Sequence, residues 1–335
     1  MATIVEAEEV RPRSRLLRPR TGRTTDRAFF GMAAFAAGLV VASLVATGVY
    51  VLIEALPALR HYNPFTFVTH TRWAPSEAVL TQTSPNPYGI AQFVYGTVLT
   101  SVIAMVLAVP VAVAVALYVT NIAPRRLARP LGYLVDLLAA IPSVVYGFWS
   151  VFALLPVIKP VGRWLSDNLG PVPVIGALFK GPFFGYSYLA AGVVLAIMVL
   201  PIITAICREV FAVAPQAEKD AALALGATRW EMLRMAVLPR SRSGIVGASI
   251  LGLGRAIGET IAVTMLIGNN VLAITRSILG QGATMASVIV NEFTEANEPF
   301  HLESLFVVAL CLLVVAFVVN VVGKTIVART SRDIA

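Results

Sequence analysis

Arg255 and Glu259 stand four positions apart inside an apolar run that extends from Gly244 to Ile267. Arg255 lies eleven residues into that run. At about 1.5 Å per helical residue it is roughly 16 Å deep, near the midplane of a hydrocarbon core about 30 Å thick. A charge there costs at least ~2.5–3.5 kcal/mol on insertion scales, so it must face protein or water. An i,i+4 spacing puts both residues on one helical face, where opposite charges can pair. Two readings are open. The pair orients a helix, or it lines an ion pathway in which Arg255 meets an anion and Glu259 holds or releases the arginine. Gly252, Gly254 and Gly258 surround the pair. Gly254-x-x-x-Gly258 fits close helix contact, and equally a gap left beside Arg255 for a substrate.

Other chemistry is sparse. Gly323-Lys324-Thr325 ends like a nucleotide-binding Walker loop, but Val318 stands where that loop needs its first glycine. Gly252, Gly254 and Gly258 miss the dinucleotide spacing, and no strand precedes them. No Ser/His/Asp set is evident, so no catalytic residue is assigned. His61, His70 and His301 are scattered over polar segments, and no metal site is expected. Cys207 and Cys311 lie in apolar runs and read as buried thiols rather than a disulfide framework. Asp136 lies five residues past Leu131. It reads as an interfacial acid, with Arg125, Arg126 and Arg129 near enough in sequence to pair with it.

The elements that must position these groups are set by composition. Hydrophobic residues make up 58% of the 335, charged residues 13%, and mean hydropathy is +0.81. Soluble domains carry about a quarter charged residues, so a soluble globular enzyme is excluded, as is a disordered or fibrous chain. Six stretches are long enough to span a bilayer: Phe29–Ile53, Tyr95–Val119, Leu131–Val157, Ser187–Val213, Gly244–Ile267 and Ser304–Ala328. The first is too long for a signal-peptide core and reads as retained. The fold class is therefore all-α integral membrane with six transmembrane helices. It divides into a basic arm (1–28), a six-helix domain (29–328) and a tail (329–335).

The net charge of +8 does not call for nucleic acid, because the positives flank the apolar runs. Arginines and lysines number seven in residues 1–28, three in 120–130, six in 208–243 and three in the C-terminal segment from Lys324. The three alternate loops hold two, three and one. The positive-inside rule puts both termini in the cytoplasm. The outer loops 54–94 and 268–303 are long enough either to dock an external partner or to hold interfacial helices over a pore mouth. The proline- and arginine-rich arm is suited to anionic lipid.

Residues 214–243 form the longest cytoplasmic loop. Asp220-Ala221-Ala222-Leu223-Ala224-Leu225-Gly226 should be helical and end at Gly226. A second helix should start over 228–236, and Pro239 should break it before the next span. Such a helix–turn–helix suits a groove on a partner protein or the membrane surface.

The loop resembles the "EAA" loop of ABC-importer permeases over Asp220 to Pro239: an acid, Ala-Ala, a glycine six after the acid and Leu238-Pro239 at the end. Asp220 replaces the usual Glu and keeps its charge. Leu138-Ala139-Ala140-Ile141-Pro142-Ser143-Val144-Val145-Tyr146-Gly147 resembles the third-helix signature of phosphate-importer permeases. Gly254-Arg255-Ala256-Ile257-Gly258-Glu259-Thr260-Ile261-Ala262-Val263 resembles their fifth-helix signature. Sulfate and molybdate permeases share a similar Arg-Ala-x-Gly-Glu run. Together the three stretches resemble the PstC-type permease family of bacterial phosphate importers.

The resemblance implies a type I ABC-importer permease fold in the bacterial plasma (inner) membrane. It implies a heterodimer with a second, PstA-like permease, two copies of a cytosolic ABC ATPase and an external phosphate-binding protein. ATP and Mg would be bound by the ATPase, with no cofactor in this chain. It also implies a pathway role for Arg255 and Glu259, with Gly254 and Gly258 beside them. The ATPase-coupling role falls on Asp220, Ala221, Ala222, Gly226 and Pro239. The alternatives are a permease for sulfate, molybdate or another oxyanion, and a secondary transporter or channel. A membrane scaffold would leave the buried charges without purpose. Against a secondary transporter, no convincing internal repeat is present, and the cytosolic helix–turn–helix would have no purpose.

Overall fold

A computed structural model of the chain describes residues 22–75, 87–181, 183–272, 274–298 and 300–332. Most of the basic arm and the middle of the first outer loop therefore lie outside the described residues. The chain divides into two compact units, one ending at Tyr50 and one beginning at Val51. The first unit is helical from Gly22, inside the stretch assigned to the arm, and this helix, α1 (Gly22–His61), runs on to His61. Its apolar residues carry the hydropathy of a span.

The second unit is built on α3 (Ala91–Leu117) and α7 (Tyr188–Ala212), which pack along their lengths. Ala104, Ala108, Ala112 and Ala116 recur every fourth residue and are fully buried. Small residues at that spacing let backbones approach closely. A methyl on Gly192 of α7 would collide with the Ile103 side chain, and it would sit 3.3 Å from the Thr100 carbonyl oxygen. Around this pair lie α4 (Arg125–Ala139), α5 (Ser143–Trp149), α6 (Leu155–Leu169), α8 (Gln216–Ala224) and α9 (Arg229–Met232). After them come α10 (Leu238–Ile257), α11 (Ile261–Ile267), α12 (Met285–Glu292) and α13 (His301–Arg332). A one-turn helix, α2 (Pro64–Thr69), comes directly after α1. Among the described residues there is no strand, and two isolated bridges join Trp73 to Tyr88 and Gly268 to Gly282.

Five helical stretches are long and apolar enough to cross a membrane: 26–61, 91–122, 143–169, 188–212 and 301–330. A bent pair, Arg229–Ile257 with Ile261–Ile267, supplies a sixth. The described residues thus hold five spans, or six when the bent pair is taken as one, and two of these differ from expectation. The third is not Leu131–Val157. Pro142 cannot donate a helical hydrogen bond and disfavours helix at the residue before it, so the chain breaks at Ala140–Pro142. The segment before the break is α4, which carries Arg125, Arg126 and Arg129 at its start. The segment after it runs through a π turn at Ser150–Leu154 to Leu169. The fifth span bends by 65° at residues 258–260. Helix also continues past residue 328, to Arg332, so little of 329–335 is a separate tail.

A polar clasp joins the described parts of loops 54–94 and 268–303. Glu292 Oε2, at the end of α12, accepts from Trp73 Nε1 at 2.7 Å and lies 2.8 Å from His301 Nε2. His301 Nδ1 lies 3.1 Å from Glu298 Oε2. Trp73 and His301 are buried, and Phe67, Tyr88 and Phe93 close the apolar side. His61 stacks on Phe300 with ring centroids 4.4 Å apart. The hydrogen bond from His301 holds the Glu298 carboxyl below its ordinary pKa, while burial pushes the Tyr88 phenol up.

Two outcomes are expected. Glu292→Ala strands the Trp73 indole N–H and one His301 nitrogen, each costing about 1–3 kcal/mol, so the melting temperature of the purified protein should fall. An unchanged value would contradict the clasp. A carboxyl held low adds stability above its ordinary pKa and loses it as pH falls through the lowered value. The clasp at Glu298 should therefore be intact at neutral pH and loosen in acid below about pH 4, read as faster hydrogen exchange over residues 287–303.

Candidate functional site

The break in the fifth span positions the charged pair. Helix ends at Ile257, and Gly258 N donates back to Gly254 O at 3.3 Å. Arg255 and Glu259 therefore do not share one helical face, and among the described residues no ion pair joins them. Arg255 sits in the last turn of α10, exposed, with no hydrogen bond or salt bridge on its guanidinium among the described residues. Glu259 is 9% exposed and turns toward the next helix. Its Oε1 accepts from Ala262 N at 3.4 Å, at the start of α11.

The other end of α11 is satisfied by neighbouring backbone. Ser187 N donates to Leu266 O at 2.9 Å, and Gly282 N donates to Ile267 O at 3.2 Å. Gly268 ends the helix at φ +90°, a conformation that favours glycine. Broken helices are tolerated at membrane depth where such partners exist.

Gly254 has nothing within 4 Å of the position its Cβ would take, so within this chain it makes no close helix contact and leaves open space beside Arg255. The close approach is made instead by Gly252, whose Cβ would lie 2.7 Å from Ile203 Cδ1 and 3.9 Å from Met105 Cε. Gly258 meets no other helix, only its own at 3.6 Å.

The two signature stretches face each other. Gly147 of α5 packs on α11: a methyl there would sit 2.9 Å from Ala262 Cα and from Met265 Sδ. Tyr146 is buried, and its hydroxyl donates to Leu138 O at 2.8 Å, tying α5 back across the break to the end of α4. An exposed guanidinium thus stands beside open space at the bend of the fifth span, which packs on the third span at Gly147. A guanidinium with spare donors suits an oxyanion, because it can give two parallel hydrogen bonds.

The cytoplasmic-loop reading is realised as two short helices. Gly226, at φ +88°, closes α8: Ala227 N donates to Ala222 O at 3.1 Å and Gly226 N to Leu223 O at 3.0 Å. This is a Schellman cap. Thr228 then opens α9 with a capping box to Glu231. Ala222 is buried, whereas Ala221, Leu223, Trp230 and Leu225, the last 88% exposed, form an apolar ridge. Asp220 is exposed and accepts from Gln216 Nε2 at 2.9 Å. Pro239 does not break the helix. Residues 229–257 run on through a π turn at Leu233–Val237, whose wider hydrogen-bond spacing accommodates the proline that comes after it.

Asp136 pairs with Arg208 at 3.4 Å rather than with Arg125, Arg126 or Arg129, and Arg208 Nη1 also donates to Gly132 O at 2.9 Å. The pairing joins residues distant in sequence, which spacing does not reveal.

A sequence model of the family described as "Binding-protein-dependent transport system inner membrane component" matches residues 108–332. The "Phosphate transport system permease protein PstC" of Xylella fastidiosa (strain 9a5c) is 40% identical over 332 residues, covering 99% of this chain and 98% of its own. The "Phosphate transport system permease protein PstC 2" of Mycobacterium tuberculosis (strain ATCC 25618 / H37Rv) is 40% identical over 307 residues, covering 92% and 93%. Among solved structures, a bacterial alginate ABC transporter in complex with an alginate-bound periplasmic protein contains a chain similar at TM-score 0.51. That chain has 16% identity and the match covers 92% of this chain and 98% of it. An inward-facing MetNI methionine ABC transporter has a chain similar at TM-score 0.50, with 18% identity over 72% of this chain and 94% of its own. These structural likenesses speak to the fold alone.

Gly147→Ala should force α5 and α11 apart at a contact that has no room. Overpacking of this kind costs about 1–3 kcal/mol, to be read as a lower melting temperature of the purified protein. An unchanged melting temperature would contradict the tight contact.

Proposed function

The chain belongs to the binding-protein-dependent transport system inner membrane components, and from that membership we propose that it forms half of the translocation pore of an ATP-driven phosphate importer. It is a multi-pass protein of the inner (plasma) membrane and a permease subunit. Its full-length relatives are named as phosphate permeases rather than sulfate or molybdate permeases, which favours phosphate as cargo. The second half of the pore is a PstA-like permease. Two ABC ATPase copies bind ATP and Mg and dock on the ridge around Ala221, Leu223 and Leu225. An external protein delivers phosphate from the opposite side, and both termini lie in the cytoplasm, as the distribution of arginine and lysine supports.

The mechanism derives from where the charges lie. The ATPase pair closes on ATP and displaces α8 and α9. A tight turn at Gly226 joins α8 to α9, and α9 runs on without a break through residues 229–257, so the displacement reaches the end of that rod, where Arg255 stands. The cavity turns outward and receives phosphate from the binding protein. Hydrolysis reopens it to the cytosol.

Arg255 offers a transient cation to the anion at a depth where a bare charge is costly. Glu259 does not neutralise it. Bonded at the start of α11, the carboxylate helps hold the bend that leaves the guanidinium free. Binding here is weak, because a pathway site that holds its ion tightly stops conduction. Selectivity rests mainly with the external protein.

The observation that carries this reading is the unpaired Arg255 beside the open space at Gly254. Arg255→Ala should lower phosphate uptake at least tenfold, ~1.4 kcal/mol in barrier terms, with membrane insertion and assembly intact. Normal uptake by that variant would remove Arg255 from the pathway. Ala221→Asp and Gly226→Leu should release the ATPase during purification of the complex; its retention by both variants would argue against the docking ridge.

A further inference from the structure

The coupling helix α8 exposes its ridge on one side and buries Ala222 and Lys219 on the other. A lysine on the buried face of a short helix needs an explanation. Its ammonium group loses hydration and must find a partner. Lys219 is 9% exposed, and its Nζ donates to Asn121 Oδ1 at 3.0 Å. Asn121 lies in the π turn Tyr118–Ile122 that ends the second span, where Ala123 N reaches back to Tyr118 O at 2.8 Å. Among the described residues, this is the one side-chain hydrogen bond between α8 and residues 91–122. The second polar atom of that amide, Asn121 Nδ2, is buried without a partner.

The remaining contacts near this junction are apolar. Pro110, Val113, Leu117, Trp230 and Leu233 line a cleft of about 310 Å³ between the end of the second span and the helix after α8. Apolar surfaces can slide over one another with little directional resistance, because burial is non-directional. A charged donor bonded to a buried amide cannot slide without leaving both groups desolvated. The π turn, a form found often at functional positions, is the part of the span that can change register when pulled.

We propose that Lys219 is a positioning residue for transport: its bond to Asn121 is the polar link that makes the second span follow the coupling helix. The displaced span carries Met105, which touches the fifth span at Gly252, three residues before Arg255. The inference rests on the reading of α8 as the ATPase-docking helix.

The test uses the complete transporter, with both permeases and the ATPase, reconstituted in vesicles with the phosphate-loaded binding protein. The readout is phosphate taken up per ATP hydrolysed, a ratio that lowered abundance or partial misfolding does not move. Lys219→Met keeps the stem and removes the ammonium. It should keep the ATPase bound while the ratio falls at least tenfold. Lys219→Arg should restore part of it, and Asn121→Leu should fall as far as Lys219→Met, with the double variant no worse than either. A wild-type ratio in Lys219→Met, or additive losses in the double variant, would overturn the link.

If Lys219→Met does not assemble, Asn121→Asp decides. It keeps an acceptor for Lys219 and should transport as wild type; a tenfold loss there would overturn the proposal. Failure of the docking reading looks different, since the ATPase would then remain bound to Ala221→Asp.

Discussion

A lipid bilayer offers no partner to a backbone N–H, a carbonyl or a charge, and this constraint governs the break in the fifth span. Once the helix stops at Ile257 and restarts at Ile261, the freed groups must be satisfied inside the protein. The Glu259 carboxylate does so at the start of α11, and the Ser187 and Gly282 amides do the same for the carbonyls at its far end. Each of these belongs to a segment whose own position is then fixed. Ser187 begins α7, Gly282 belongs to the outer loop that returns beside Gly268, and α11 itself is held against Gly147 of the third span. The bend leaves Arg255 at a helix end with no ion pair among the described residues.

Much of this was legible in the sequence, where the signal is local. The spans are readable from hydropathy, and Gly226 and Thr228 mark a helix end and a helix start that the cap and capping box realise. The breaks were less legible. Pro142 was visible, but hydropathy runs unbroken across it, so Leu131–Val157 read as one span. Pro239 misled in the opposite direction, because a π turn absorbed it. The Arg255–Glu259 spacing suggested a shared face only because the helix was assumed to continue. Partnerships between distant residues left no periodic trace: Asp136 with Arg208, Glu292 with Trp73 and His301, and Lys219 with Asn121.

The two ends of the molecule are organised differently. On the outer side, aromatic rings and the Glu292 clasp fasten the loops around Trp73 to the start of the last span. In residues 214–243, short capped helices present an apolar ridge; α9 runs on into the fifth span, the Glu218–Arg240 ion pair ties α8 to that span, and the Lys219–Asn121 bond ties α8 to the second span. A firmly held outer surface suits docking of a delivery protein, and a ridge on a helical lever suits transmission of force. The free arginine lies where that lever ends.

The most direct test is uptake of labelled phosphate into vesicles holding the full set of subunits, with ATP on the coupling side and sulfate and molybdate as competitors. Uptake that requires ATP and resists both competitors is the expected result. Uptake without ATP would contradict a pore subunit driven by a separate ATPase, and uptake lost to sulfate or molybdate would contradict phosphate as the cargo.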